Sequence, residues 1–206
     1  MINNYCTIYF VRHGLTDWNK KGLVQGHTDI PLNSEGEAQA NGLALELKDI
    51  EFDKAFSSDL LRAKRTAEII TLEHQLKIET AEVLREREFG VIEGKSNERV
   101  KEIQRIISSL EESKRFSYKH HPSIESDEEL ISRLLPFLRE IAVSYAGKSV
   151  LVVSHGGPIR AMLIHLGIGT YEDEIKIANL AYIKLESDGV DFFVKETKGI
   201  SIKKPK

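Results

Sequence analysis

Residues 150–160 read VLVVSHGGPIR. Four consecutive apolar residues, three of them β-branched, mark a strand buried on both faces. The run stops at Ser154-His155-Gly156-Gly157, and Pro158 then suits the first turn of a helix reaching about Leu166. A wholly apolar strand leading into a helix is the unit from which parallel sheets covered by helices are built. Tyr5 to Val11 is a second such strand, and it stops at Arg12-His13-Gly14.

The rest of the chain supplies the alternation this pattern needs. Ser34 to Glu37 has capping-box spacing, and Ala40, Leu43, Ala44 and Leu47 mark one face of the helix behind it. A strand is expected over 52–56 and a helix from about Asp59, with Leu60, Ala63, Ala67 and Ile70 on its inner stripe. A short strand over 77–80 precedes the segment LREREFGVIEG (84–94). Val100, Ile103, Ile107 and Leu110 predict a third helix, and 113–125 read as an irregular loop or lid. Ser126 to Glu129 gives another capping box, followed by a helix that Pro136 is expected to kink. Residues 181–185 and 192–196 alternate around Ser187-Asp188-Gly189 as a closing hairpin, and the tail from Ile200 is expected to be loose. The fold class is therefore α/β, a sandwich around a mostly parallel sheet.

Bulk properties narrow the function. The chain has 206 residues, of which 41% are hydrophobic and 30% charged, with a formal net charge of -3. That balance gives no global basic field for nucleic acid or an anionic membrane, so affinity for an anion must be local. Cys6 is the single cysteine, which excludes an intramolecular disulfide and a Cys-rich zinc site. No stretch approaches the roughly 20 apolar residues that span a bilayer, and no targeting signal stands at MINNYC. The expectation is a cytoplasmic protein with no membrane or nucleic-acid partner; the oligomeric state is not legible.

In open α/β sheets ligands bind outside the carboxyl ends of the strands. If the two strongest strands are parallel, His13-Gly14 and His155-Gly156 share that edge, with Arg12 beside them. Glycine permits close backbone approach, and the helix after Pro158 directs free N–H groups and a positive dipole end to the same place. Arg62, in the first turn of its helix, adds a planar fork that matches phosphate oxygens. Lys64 and Arg65 stay on the surface. Thr16 and Asn19 are candidate donors to a phosphate, and Gln25-Gly26 a candidate closing loop. A phosphoryl group so held needs an acid for its leaving oxygen, and a carboxyl beside phosphate is disfavoured as an anion, as general-acid work requires. Glu86 and Glu88 both qualify, and spacing does not choose between them.

Two rivals fail on geometry. Cys6 to Arg12 fits a C-x5-R pattern, but the intervening residues form a strand rather than a cradle, which sets the ends ~20 Å apart at about 3.3 Å per residue. A catalytic metal on His13, His27, His155, His165, His120 or His121 lacks helical ligand spacing, and Arg12 would repel the cation.

With RHG at a first strand, SSDLLRAKRTAE, LREREFG-x-x-EG and VVSHGGPIR in this order, the chain resembles the histidine phosphatase superfamily, also called phosphoglycerate mutase-like. The resemblance implies one domain over 1–206, a three-layer α/β/α sandwich with a lid insertion at about 95–125. It implies that His13 is the nucleophile that becomes phosphorylated and that Arg12, Arg62 and His155 clamp the phosphoryl oxygens. It selects Glu86 over Glu88 as proton donor, makes Asn19 a phosphate contact and gives Gln25-Gly26 a substrate-contacting role. Gly14, Thr16 and Gly156 complete the expected substrate-binding set. No metal or cofactor is implied, and the partner is a small phosphorylated metabolite.

Departures from the family pattern bear on substrate. Residues 95–125 contain Arg99, Arg105 and Arg115 but no Arg-Arg-Ser-Tyr run, Ile92 replaces the usual Trp, and Ile124 the usual Gly. The mutases' carboxylate grip is therefore missing from the expected place, which favours a phosphatase. A cofactor-primed phosphoglycerate mutase and a non-catalytic phospho-ligand binder are the alternatives; retention of both His13 and Glu86 speaks against the binder.

Overall fold

In the computed structural model, which describes residues 5–72 and 74–205, a six-stranded sheet runs through the centre in the order β3-β2-β4-β1-β5-β6. These strands are β1 (Cys6–Arg12), β2 (Lys54–Ser57), β3 (Ile78–Thr80), β4 (Ser149–Ser154), β5 (Glu174–Ser187) and β6 (Phe192–Lys203). β1, β4, β2 and β3 are parallel, and β5 and β6 close one side antiparallel. The two apolar runs behave as their composition demands. Alternate residues of β1 and β4 feed opposite faces: Ile8, Phe10, Val150 and Val152 one core, Tyr9, Val11, Leu151 and Val153 the other.

The first core is covered by α6 (Asp127–Ser144) and α7 (Gly156–His165), through Leu130, Leu134, Leu138, Ile159 and Met162. The second is covered by α2 (Ser34–Leu47) and α3 (Leu61–Thr71), through Leu43, Leu47, Ala63, Ala67 and Ile70. The result is the expected three-layer α/β/α sandwich. Helices α1 (Asp17–Lys20), α4 (Glu98–Ser109) and α5 (Glu112–Arg115) lie outside it. Cys6 is fully buried, and burial pushes its thiol up to about 12.

Three local expectations change. α2 is capped by Asn33, whose side chain accepts the Gly36 amide at 2.8 Å, so the capping box proposed for Ser34 does not form. Asn is as good an N-cap as Ser, and the helix simply begins one residue earlier. The tail is not loose: Ile200 to Lys203 belong to β6 and pair with Ile177 to Glu174. Its alternating Ile200 and Ile202 are too short a signal alone, but β5 supplies a partner. α3 starts at Leu61 rather than Asp59, its first amide held by Asp29 from a distant loop at 2.8 Å. The capping box at Ser126 and Glu129 forms as expected, and α6 continues through Pro136.

Candidate active site

Parallel pairing of β1 with β4 sets Arg12 opposite Ser154, and the His13 amide continues the ladder onto the Ser154 carbonyl at 3.0 Å. His13 and His155 therefore leave the same sheet edge, with ring centroids 5.1 Å apart. Both are buried, at 2% and 0% exposure, although imidazoles on a surface loop are ordinarily wet. His13 Nδ1 lies 2.7 Å from the Gly14 carbonyl oxygen. A carbonyl only accepts, so Nδ1 carries the proton and Nε2 keeps its lone pair. Burial and the charges of Arg62 and Arg12 hold the His13 imidazole well below the usual histidine range, against the opposing pull of Gly14. His155 is held down by the same burial, then by Arg62, His13 and Arg12. Both rings are neutral at physiological pH.

Two guanidiniums flank them. Arg62 is fully buried, donating to the Gly26 carbonyl at 2.7 Å and the Thr28 carbonyl at 2.9 Å. Burial pushes it down to about 10, still cationic at neutral pH. Arg12 donates to the Ile177 carbonyl. Arg12 Nε, Arg62 Nε and both ring nitrogens of His155 are buried without a protein hydrogen-bond partner among the described residues. Buried polar groups are ordinarily paired. Such a cluster of free nitrogens around one nucleophilic lone pair suits the oxygens of a phosphoryl group.

Glu86 completes the constellation from the segment after β3. Its Oε1 accepts the Gly157 amide at 2.9 Å and the Arg87 amide at 2.8 Å, which draws the carboxylate to the N-terminus of α7. Gly157 is required for this approach, because a Cβ there would lie 2.1 Å from Glu86 Oε1. Glu88 is exposed, and of the two acids Glu86 alone lines the cavity beside His13.

Arg12, His13, Asn19, Gln25, Gly26, Arg62, Glu86 and Gly156 all line one cavity of about 350 Å³. α4 contributes Val100, Ile103 and Ile107 beside Gln104, β5 contributes Ile175 and Ile177, and Asn97, Tyr118 and His120 add polar groups. Arg87, ion-paired with Asp127, and Arg160 form the far side. Arg99, Arg105 and Arg115 do not line it.

Three candidates do not line the cavity: His155, fully buried behind it with its ring against that of His13, and Thr16 and Gly14. Thr16 does not line the cavity; its hydroxyl caps α1 by accepting the Asn19 amide and donates to Gln25 Oε1 at 2.9 Å. Gly14 is glycine because α2 passes against it: a Cβ would lie 2.7 Å from the Gly36 carbonyl oxygen. Sequence reasoning missed Gly157, and also Asn179 and Leu180 in β5. The Asn179 amide group and the Leu180 backbone N–H both bind the His13 carbonyl, at 3.1 and 3.4 Å. Leu180, at φ 58°, sits in a register shift of the β5–β6 pair, and no pattern of residue types announces such a bulge.

Comparison with known proteins gives the chain a family. The family model described as histidine phosphatase superfamily (branch 1) matches residues 8–198. The chain is 39% identical over 165 residues to the uncharacterized phosphatase PhoE of Bacillus subtilis, covering 80% of this chain and 79% of that one. Among solved structures, Bacillus stearothermophilus YhfR superposes with a TM-score of 0.80 at 27% identity, covering 94% of this chain and 96% of the other. A phosphoglycerate mutase from Bacillus anthracis str. Sterne also reaches 0.80 at 27% identity, covering 96% and 94%. The chain belongs to the histidine phosphatase superfamily, branch 1.

Proposed function

We propose that this protein hydrolyses small phosphomonoesters by passing the phosphoryl group through Nε2 of His13. The observation that carries the reading is the state of that imidazole, buried, neutral and protonated on Nδ1 by its bond to Gly14. Its remaining lone pair is free to attack phosphorus in line with the ester oxygen. As the N–P bond forms and the P–O bond breaks, charge on the equatorial oxygens is met by Arg12, Arg62 and His155, already fixed in place. Glu86 gives its proton to the departing alkoxide. In the second half it takes a proton from water, whose oxygen displaces His13 and releases inorganic phosphate. Asn19, Gln25, Gly26 and Gly156 contact the substrate, and the segment over 95–125 acts as a lid on a single domain.

The positive charge that phosphate needs comes from two guanidiniums, so the reaction is metal-independent, and activity should survive a chelator. Relatives carry both phosphatase and phosphoglycerate mutase names. Hydrolysis is favoured because Arg99, Arg105 and Arg115 stay out of the cavity, where α4 and β5 instead present Val100, Ile103, Ile107, Ile175 and Ile177. The test is a phosphoester panel with product analysis on wild type and His13→Ala. Wild type should release inorganic phosphate, and His13→Ala should lose at least about 10³-fold in kcat. Conversion of 3-phosphoglycerate to 2-phosphoglycerate would make it a mutase, and unchanged turnover by His13→Ala would end the phosphohistidine reading.

A further inference from the structure

The segment that carries Glu86 has an unusual hydrogen-bond economy. Buried backbone carbonyls must find donors, and in a loop beside a sheet these ordinarily come from backbone or water. Here the carbonyls of four consecutive residues, Val83 to Glu86, are all taken by side chains. Ser154 Oγ donates to Leu84 at 2.7 Å. Arg133, from the second turn of α6, donates to the other three: Val83 at 2.6 Å, Arg85 at 3.0 Å and Glu86 at 3.0 Å, the last shared with His27 Nε2 at 2.9 Å. Its remaining two N–H groups bind the carboxylate of Glu125, at 2.6 and 2.9 Å. A guanidinium has five N–H donors, and every one is used. Glu125 is itself fixed, its amide bonded to the Glu88 carbonyl at 2.9 Å and its Oε2 accepting the Glu88 amide at 3.3 Å. The side chains of Arg133 and Glu125 are 21% and 12% exposed, so this planar fork works largely out of water.

We propose that Arg133 is a positioning residue for proton donation: clamped by Glu125, its fork sets the backbone pose from which Glu86 reaches the leaving oxygen. This rests on the reading of Glu86 as the general acid given above. The clamp acts on the backbone, while the Gly157 amide fixes the carboxylate's far end, so the acid is held at both ends of its side chain. Lysine cannot replace the fork, because three donors on a flexible stem do not span three carbonyls and a carboxylate in one plane.

The discriminating readout is the leaving group. A nitrophenolate departs without a proton, whereas an alkoxide needs one, so a defect confined to the acid shows on alkyl esters and is masked on nitrophenyl esters. The ratio kcat/KM, which ends with departure of the leaving group and so excludes the later water step in which Glu86 also serves, is to be measured on p-nitrophenyl phosphate and glycerol 3-phosphate for wild type, Glu86→Gln, Arg133→Lys and Glu125→Gln. Arg133→Lys keeps the positive charge near His155 and the ion pair with Glu125, so it separates positioning from electrostatics. It should lose about 10²-fold on glycerol 3-phosphate, the scale of a ~1 Å misplacement, and under about threefold on the nitrophenyl ester. Glu86→Gln should show the same selectivity, more strongly, and Glu125→Gln a milder version. Thermal unfolding of each variant checks that it folds; should Arg133→Lys not fold, the Glu125→Gln comparison decides. If wild type hydrolysed neither ester, the hydrolase reading would fall and this inference with it. If Glu86→Gln lost equally on both, the acid assignment would fall. If Glu86→Gln were selective and the folded clamp variants lost equally on both esters, or lost nothing, Arg133 would be overturned as a positioning residue while the proposed function stood.

Discussion

At the scale of single residues, the two buried histidines tie activity and stability to pH in the same direction. Both are neutral in the fold, with ionisation displaced below the usual histidine range, while the unfolded chain protonates them near their ordinary value of about 6.5. Their contribution is thus fully present above about pH 6.5 and lost as pH falls below it, because the unfolded state then binds the extra protons. Each contributes a slope of up to about 1.4 kcal/mol per pH unit in that window. Denaturant titrations between pH 7.5 and pH 5 should show stability falling with acid, less steeply in a His155→Gln variant. The same displacement keeps His13, the proposed nucleophile, unprotonated, so the acidic limb of kcat/KM should lie below that of free imidazole. Gly157→Ala tests the other end of the chemistry. Its new Cβ would occupy the Glu86 oxygen's place, and kcat on alkyl phosphates should fall by about 10²-fold with the fold intact. His13, Arg12 and His155 were readable in sequence because their strands end there, and Arg62 because it stands in the first turn of the helix after β2; Gly157 was not, because its contact is with a carboxylate distant in the chain. Thr16 was read as a phosphate donor for its loop position, but the same loop needs it as a helix cap.

At the scale of elements, β1 and β4 announce themselves through unbroken apolar runs, whereas β5 conceals its most consequential part. Its ends alternate like a strand, but between Ile177 and Tyr182 the register with β6 shifts and Leu180 takes a left-handed conformation. That bulge turns the Ile177 carbonyl to Arg12 and the Leu180 amide to the His13 carbonyl, so an edge ribbon orients two residues of another strand. Asn179→Ala removes one of the bonds to the His13 carbonyl. It should cost about 1 kcal/mol of stability and lower kcat about tenfold, read by thermal unfolding beside steady-state assay on one sample. The cap of α2 and the strand character of residues 200–203 escaped sequence reading for a related reason. Each is decided by a partner, the Gly36 amide for Asn33 and β5 for the tail, rather than by the residue's own preference.

At the scale of the whole molecule, a rigid sandwich carries the phosphoryl end of the cavity and a thinner layer carries the outer end. α4 buries none of its residues fully, yet Val100, Ile103 and Ile107 face the cavity. Packing there contributes little to the fold, so Ile103→Lys should change stability by no more than about 0.5 kcal/mol. It should raise KM for esters with a bulky apolar group, such as naphthyl phosphate, and leave glycerol 3-phosphate nearly unaffected. Equal effects on both would mean that α4 does not contact the organic part of the substrate. The layered plan was legible from alternating strands and helices; the cavity-facing side of α4 was not, because an amphipathic helix reads the same over a core or over a cavity.

The strand order also has a consequence for biosynthesis. β1 lies between β4 and β5, so the first of the six strands to be made waits for the fourth and fifth before it has neighbours. Pairings so distant in the chain make for slow folding and a long interval of exposed apolar surface. Nascent chains stalled before Glu174 should be cut readily by protease and bind no vanadate. Protease resistance and anion binding should then arrive in the same step, once Lys203 has cleared the exit tunnel.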